Sequence, residues 1–89
     1  MGQDLQSFRD KIDIIDEKIL NLLEQRMDLI TDVGKLKAKL DLAVEDLSRE
    51  QVIVERLTKH ASGHLSEGQL IRIFTAVFKS SKQLQRKNQ

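Results

Sequence analysis

Apolar residues in the first half of the chain recur at steps of three and four: Leu5, Phe8, Ile12, Ile15, Ile19, Leu22, Leu29, Val33, Leu36 and Leu40. That spacing lays them along one stripe of an α-helix and predicts a continuous helix from about Asp4 to Leu40. At ~1.5 Å per residue the rod is on the order of 55 Å long. The gap between Leu22 and Leu29 is filled by Arg26, a cation where the stripe calls for a core residue. Lys37 follows close to three helical turns later, so it projects from nearly the same side, roughly 16 Å along the axis. Charge on an apolar seam costs several kcal/mol per ion unless it meets a partner, so this pair implies either internal carboxylates or an anionic ligand.

The periodicity changes over Asp41 to Glu45, and a second helix is expected from about Asp46 to His60, with Asp46 or Ser48 as its N-cap. Gly63 marks a stop. Ser66 with Gln69 three residues later has the form of a capping box, opening a third helix that reaches about Arg86 before a ragged polar tail to Gln89. With no repeat and no internal boundary, residues 1–89 read as one all-α domain of three helices. The first is too long to fold back on itself and the other two are too short to cover it. Much of its apolar stripe must therefore meet a second chain, and a homodimer is expected. Gly34 interrupts the long helix at a cost of roughly 1 kcal/mol relative to alanine if exposed. It reads either as a tolerated defect or as a place where a neighbouring helix or ligand comes close beside Lys37.

Composition narrows the class. Proline, tryptophan, tyrosine and cysteine are absent, which favours helix throughout, excludes disulfides and fits a reducing, cytoplasmic compartment. Charged residues make up 33% of the chain, but 15 basic side chains nearly cancel 14 acidic ones, and a net charge of +1 gives little attraction to nucleic acid or membrane. The opening MGQDLQSFRDK lacks the apolar core of a signal peptide, and no run approaches the roughly 18 apolar residues of a membrane span. His60 and His64 form no HExxH pair and read as a solvated helix end and loop rather than a metal site.

Other polar residues are ambiguous in isolation. Asp46, Arg49 and Glu50 share one face at the start of the second helix, where local pairing worth a few tenths of a kcal/mol is a sufficient explanation. In the third helix the face of Leu70, Phe74, Val77 and Phe78 runs on through Ser81 to Gln85, where it turns polar; a solvated C-terminus accounts for that equally well. Lys79, Lys82, Arg86 and Lys87 read as complements of the helix dipole. Arg9 precedes Arg26 by about 26 Å of straight helix, so the two grip one small molecule only if Arg9 comes from a partner subunit.

The segments FRDKIDIIDEKILNLLEQR, VGKLK, EDLSRE and SSKQLQ stand in the order and spacing of the all-helical AroQ-type chorismate mutases, and the resemblance covers nearly the whole chain. It implies an intertwined homodimer whose long first helices cross between subunits, and conversion of chorismate to prephenate in phenylalanine and tyrosine biosynthesis without a cofactor. It further implies that Arg26, assisted by Ser81, binds one substrate carboxylate and that Arg9 of the opposite subunit binds the other. Lys37 and Gln85 would serve the ether oxygen, and Glu50 would accept from the ring hydroxyl. Asp46 would lie close by, with Arg49 orienting these carboxylates or touching a substrate carboxylate. An intramolecular Claisen rearrangement needs no nucleophile or general base, so conformation and aimed hydrogen-bond donors carry the catalysis. One departure is Ala43, where related sequences commonly have proline, and a looser connection before the second helix is expected there. Two other readings are an isochorismate pyruvate lyase, disfavoured by the Arg49 and Glu50 pair, and a noncatalytic dimerisation or regulatory module, which would have no use for the full polar set.

Overall fold

Three helices make up most of residues 4 to 87, the part of the chain that the structure, a computed structural model, describes. They are α1 (Leu5–Lys39), α2 (Leu47–His60) and α3 (Glu67–Arg86), and there is no strand among the described residues. Met1 to Gln3 and the last two residues of the expected tail, Asn88 and Gln89, lie outside them.

Each helix starts on a side chain suited to the task. Asp4 caps α1 by accepting from the Ser7 N–H at 2.7 Å, and Asp46, rather than Ser48, caps α2 by accepting from the Arg49 N–H at 3.0 Å. Ser66 and Gln69 form the reciprocal capping box of α3, with contacts of 3.2 and 2.8 Å. These bonds satisfy amide donors that a helix start leaves without partners. The end of α1 is closed as firmly. The Leu42 N–H donates to the Lys37 carbonyl at 2.8 Å and the Asp41 N–H to the Ala38 carbonyl at 3.3 Å, the paired bonds of a Schellman motif. Asp41 holds the left-handed position of that motif at φ 57°, where glycine is the usual occupant.

The packing is lopsided. α3 lies against both α1 and α2, while α1 and α2 do not pack on each other. The buried apolar core consists of Ile53, Leu70 and Phe78, and Phe74 meets Phe78 at 5.9 Å between ring centres. α1 is 35 residues long, ~52 Å as a straight helix, and it sets the 59 Å long dimension of the molecule against 23 and 16 Å across. Its stripe is open: Ile12 is 53% exposed, Ile15 54%, Leu22 63% and Leu29 66%. Gly34 is the one described residue of α1 that is buried. None of the helices is long and apolar enough to cross a membrane.

Candidate active site

Three short sequence patterns converge on one cavity of about 250 Å³ where α1, α3 and the start of α2 meet. α1 contributes Arg26, Ile30, Val33 and Lys37, which at steps of four, three and four form one helical face. α3 contributes Phe78, Ser81, Lys82 and Gln85 at steps of three, one and three. The capping turn of α2 and its first turns supply Asp46, Arg49, Glu50 and Ile53, and Val44 approaches from the connecting segment. Of the eight residues expected to form the site, seven line this cavity. Arg9 does not; it is exposed near the far end of α1.

Polar bonds tie the walls together. Arg26 donates from Nη1 to the Ser81 Oγ at 2.6 Å, joining α1 to α3, and that hydroxyl also lies 2.8 Å from the Val77 carbonyl oxygen. Lys37 Nζ donates to the Val44 carbonyl at 3.0 Å, joining α1 to the segment before α2. Lys82 Nζ lies 3.2 Å from Glu50 Oε2 and 3.7 Å from Glu45 Oε1, joining α3 to α2 and to that same segment. Lys82 is the residue that sequence reasoning misplaced. Its side chain is only 17% exposed and points into the cavity rather than serving the helix end. The signal was present in its position, four residues after Phe78 and three before Gln85 on the same face. Arg49 was a candidate to orient the acidic pair, but among the described residues no ion pair links it to Asp46 or Glu50.

The electrostatics are unbalanced in a definite direction. Arg26, Lys37, Arg49 and Lys82 face the cavity against the two carboxylates of Asp46 and Glu50. The hydrogen bond of Arg26 goes to a neutral hydroxyl, and its guanidinium sits 5.9 Å from the centre of the Phe78 ring. Burial, and then repulsion from the Arg49 guanidinium, lower the pKa of Arg26 below its ordinary value. Such a group is short of negative charge. The Lys37 ammonium has three donors and gives one to Val44. Gln85 is buried at 5% exposure, and its Oε1 has no hydrogen-bond partner. A buried polar atom left unsatisfied is costly and uncommon, and here it belongs to a residue that lines the same cavity as the underneutralised cations. A half-turn of the amide exchanges Oε1 for Nε2, so Gln85 can present a neutral donor at any physiological pH. No group of three or more histidine, cysteine or acidic side chains among the described residues could hold a metal ion.

A second, larger hollow of about 350 Å³ between α2 and α3 has the opposite chemistry. Glu50, Glu55 and Glu67 line it and no lysine or arginine does, so it suits no anion.

The sequence profile described as chorismate mutase type II matches residues 8–86. The chain is 37% identical over 87 residues to the chorismate mutase of Methanocaldococcus jannaschii, an alignment covering 97% of this chain and 88% of that protein. It is 37% identical over 78 residues to the bifunctional chorismate mutase/prephenate dehydratase of Escherichia coli K12, covering 86% of this chain and 20% of that protein. The bifunctional enzyme of Aquifex aeolicus is 33% identical over 89 residues, covering 96% of this chain and 25% of its own length. The chain thus spans about a fifth to a quarter of these two bifunctional relatives.

Proposed function

The chain belongs to the chorismate mutase type II family, and on that premise we propose that its cationic cavity rearranges chorismate to prephenate in a site completed by a second copy of the chain. The reading makes it an isomerase, placed in the formation of phenylalanine and tyrosine precursors. The observation that carries it is Arg26: half-buried, opposed by Arg49, bonded only to a neutral hydroxyl, and facing the same space as Lys37 and the orphaned amide of Gln85. A small dianion supplies the negative charge that these cations lack.

In this reading Arg26 holds one substrate carboxylate, with the Ser81 hydroxyl fixing the guanidinium; Arg49 at the rim adds positive charge. Planar guanidinium groups suit carboxylates because two parallel N–H donors match two oxygens. Lys37 and Gln85 aim donors at the ether oxygen, where negative charge grows as the carbon–oxygen bond breaks and the new carbon–carbon bond forms. Donors fixed in a half-buried cavity need no reorganisation at that moment, and enclosing the substrate with its enolpyruvyl arm over the ring adds the proximity effect. Glu50 accepts the ring hydroxyl, and Asp46 shapes that wall while capping α2.

Dimerisation belongs to the same proposal. The open stripe of α1, its ~52 Å length against shorter neighbours, and a cavity just under the roughly 300–1,000 Å³ of ordinary small-molecule sites all support a covering chain. An intertwined pair would bury the stripe and bring the partner's first helix, with its exposed arginine at position 9, to the open side of the cavity, where the second substrate carboxylate would lie. The test is consumption of chorismate by purified protein, followed by ultraviolet absorbance, with acid conversion of the product to phenylpyruvate. Saturable turnover with that product is expected. A folded protein that leaves chorismate unchanged would overturn the proposal.

A further inference from the structure

Lys82 is the cavity's one cation already matched by carboxylates. Its ammonium is 3.2 Å from Glu50 and 3.7 Å from Glu45, and its side chain is 17% exposed while that of Glu50 is 23% exposed. Lysine is seldom buried to that degree unless paired. Arg26, Lys37 and Arg49, by contrast, make no ion pair among the described residues. Glu50 therefore stands in a cavity with three cations in want of an anion, and an unrestrained carboxylate there would fold onto one of them and occupy the place of the ligand.

We propose that Lys82 is a positioning residue: by holding Glu50 against α3 it keeps that carboxylate on the hydroxyl-recognising side of the cavity and leaves Arg26, Arg49 and Lys37 free for the substrate's anionic groups. The inference rests on the role given to Glu50 above. The second contact adds to the effect. Glu45 directly follows Val44, whose carbonyl takes the Lys37 ammonium, so Lys82 also steadies the segment that sets the direction of Lys37. The bridge thus sorts the cavity's charges into an acceptor half and a donor half.

A hydrogen bond from the ring hydroxyl is made in the ground state and the transition state alike, so losing its acceptor weakens binding more than it slows chemistry. Lys82→Met should raise KM about ten-fold and leave kcat within about three-fold, on the scale of one displaced charge-assisted hydrogen bond. Lys82→Arg, which keeps the charge, should restore KM to within about three-fold of wild type. A dianionic inhibitor of the same ring skeleton without the hydroxyl should bind Lys82→Met several-fold more weakly than wild type, because the released Glu50 competes for the cations, and adding Glu50→Gln to Lys82→Met should remove most of that difference. Far-UV circular dichroism checks that the variants keep the helices. A fall in kcat at unchanged KM, or a loss of inhibitor affinity that Glu50→Gln does not reduce, would show Lys82 acting on the substrate itself and overturn the proposal; so would an unchanged KM. Absence of turnover in the wild-type protein would overturn the proposed function, and this inference with it, whereas wild-type turnover that Lys82→Met leaves untouched would overturn this inference alone.

Discussion

Lys37→Ala separates catalytic from structural contributions more cleanly than any other change in the cavity. The side chain is half-buried, lines the cavity, and spends one donor on the Val44 carbonyl at 3.0 Å. Removing it deletes that bond, and because Val44 is itself only half-buried, water can take over the carbonyl; a loss of ~1 kcal/mol is expected. Against the ~5 kcal/mol or more of a folded domain, such a loss still leaves the folded state populated by far more than 99%. Removing a preorganised donor from the site of developing charge costs ~10²-fold or more in turnover, or ~2.7 kcal/mol of activation free energy. The two effects are thus distinguishable by size. Urea unfolding should show the small shift, and the ultraviolet assay should show kcat falling at least a hundred-fold with KM within about three-fold, since the interaction strengthens only in the transition state. Near-normal kcat, or a raised KM at unchanged kcat, would refute the assignment of Lys37 to the ether oxygen.

Arg26→Met should trade function for stability. Because burial and Arg49 lower the Arg26 pKa, the unfolded chain binds that proton more tightly than the folded one. The charged side chain therefore costs stability at neutral pH, and the cost lifts only as pH rises through the lowered folded-state value towards that of the unfolded chain. At pH 7 without ligand, the variant should unfold no more easily than wild type, with a gain of up to ~1 kcal/mol, and should lose the ~2.7 kcal/mol of stabilisation expected from a dianionic ligand at a hundred times its Kd; thermal melts with and without ligand decide it, and a ligand-induced shift equal to that of wild type would count against the role of Arg26. Asp41→Gly should stabilise the chain by about 0.5 kcal/mol in urea, because the residue sits at φ 57° at the end of α1; a lower midpoint would mean that the Asp41 side chain contributes more than the backbone strain costs. Ala43→Pro should stabilise by ~0.4–1 kcal/mol and lower KM, since the Ala43 N–H makes no backbone hydrogen bond among the described residues and a stiffer segment has less order to gain on closing over substrate; an unchanged or higher KM would contradict that account.

Helix positions were legible in the sequence because they depend on local signals. Caps at Asp46 and Ser66 and the steps of three and four fix the three elements to within a residue of where they lie. The cavity was legible where a polar residue breaks an apolar face, as Arg26 does in α1 and Ser81 and Gln85 do in α3. Lys82 escaped because its pairing is tertiary. Its place on the face of Phe78 and Gln85 marks it as inward-facing, but its carboxylate partners lie more than thirty residues earlier in the chain. The same limit explains Arg49, whose sequence neighbours suggested a local ion pair while the fold gives Glu50 to Lys82 instead. The open stripe of α1 and the distant Arg9 are what support the proposed second copy.

The most direct test of that shared site is subunit complementation between Arg9→Ala and Arg26→Ala, each expected to be nearly inactive alone. Co-refolding the two in equal amounts would make about half the dimers mixed, and if Arg9 acts across the interface each mixed dimer contains one site with both arginines intact and one with neither. Chorismate turnover should then recover to about a quarter of the wild-type value per chain. Folded mixed dimers with no recovery above the parent variants would contradict a site built from two chains.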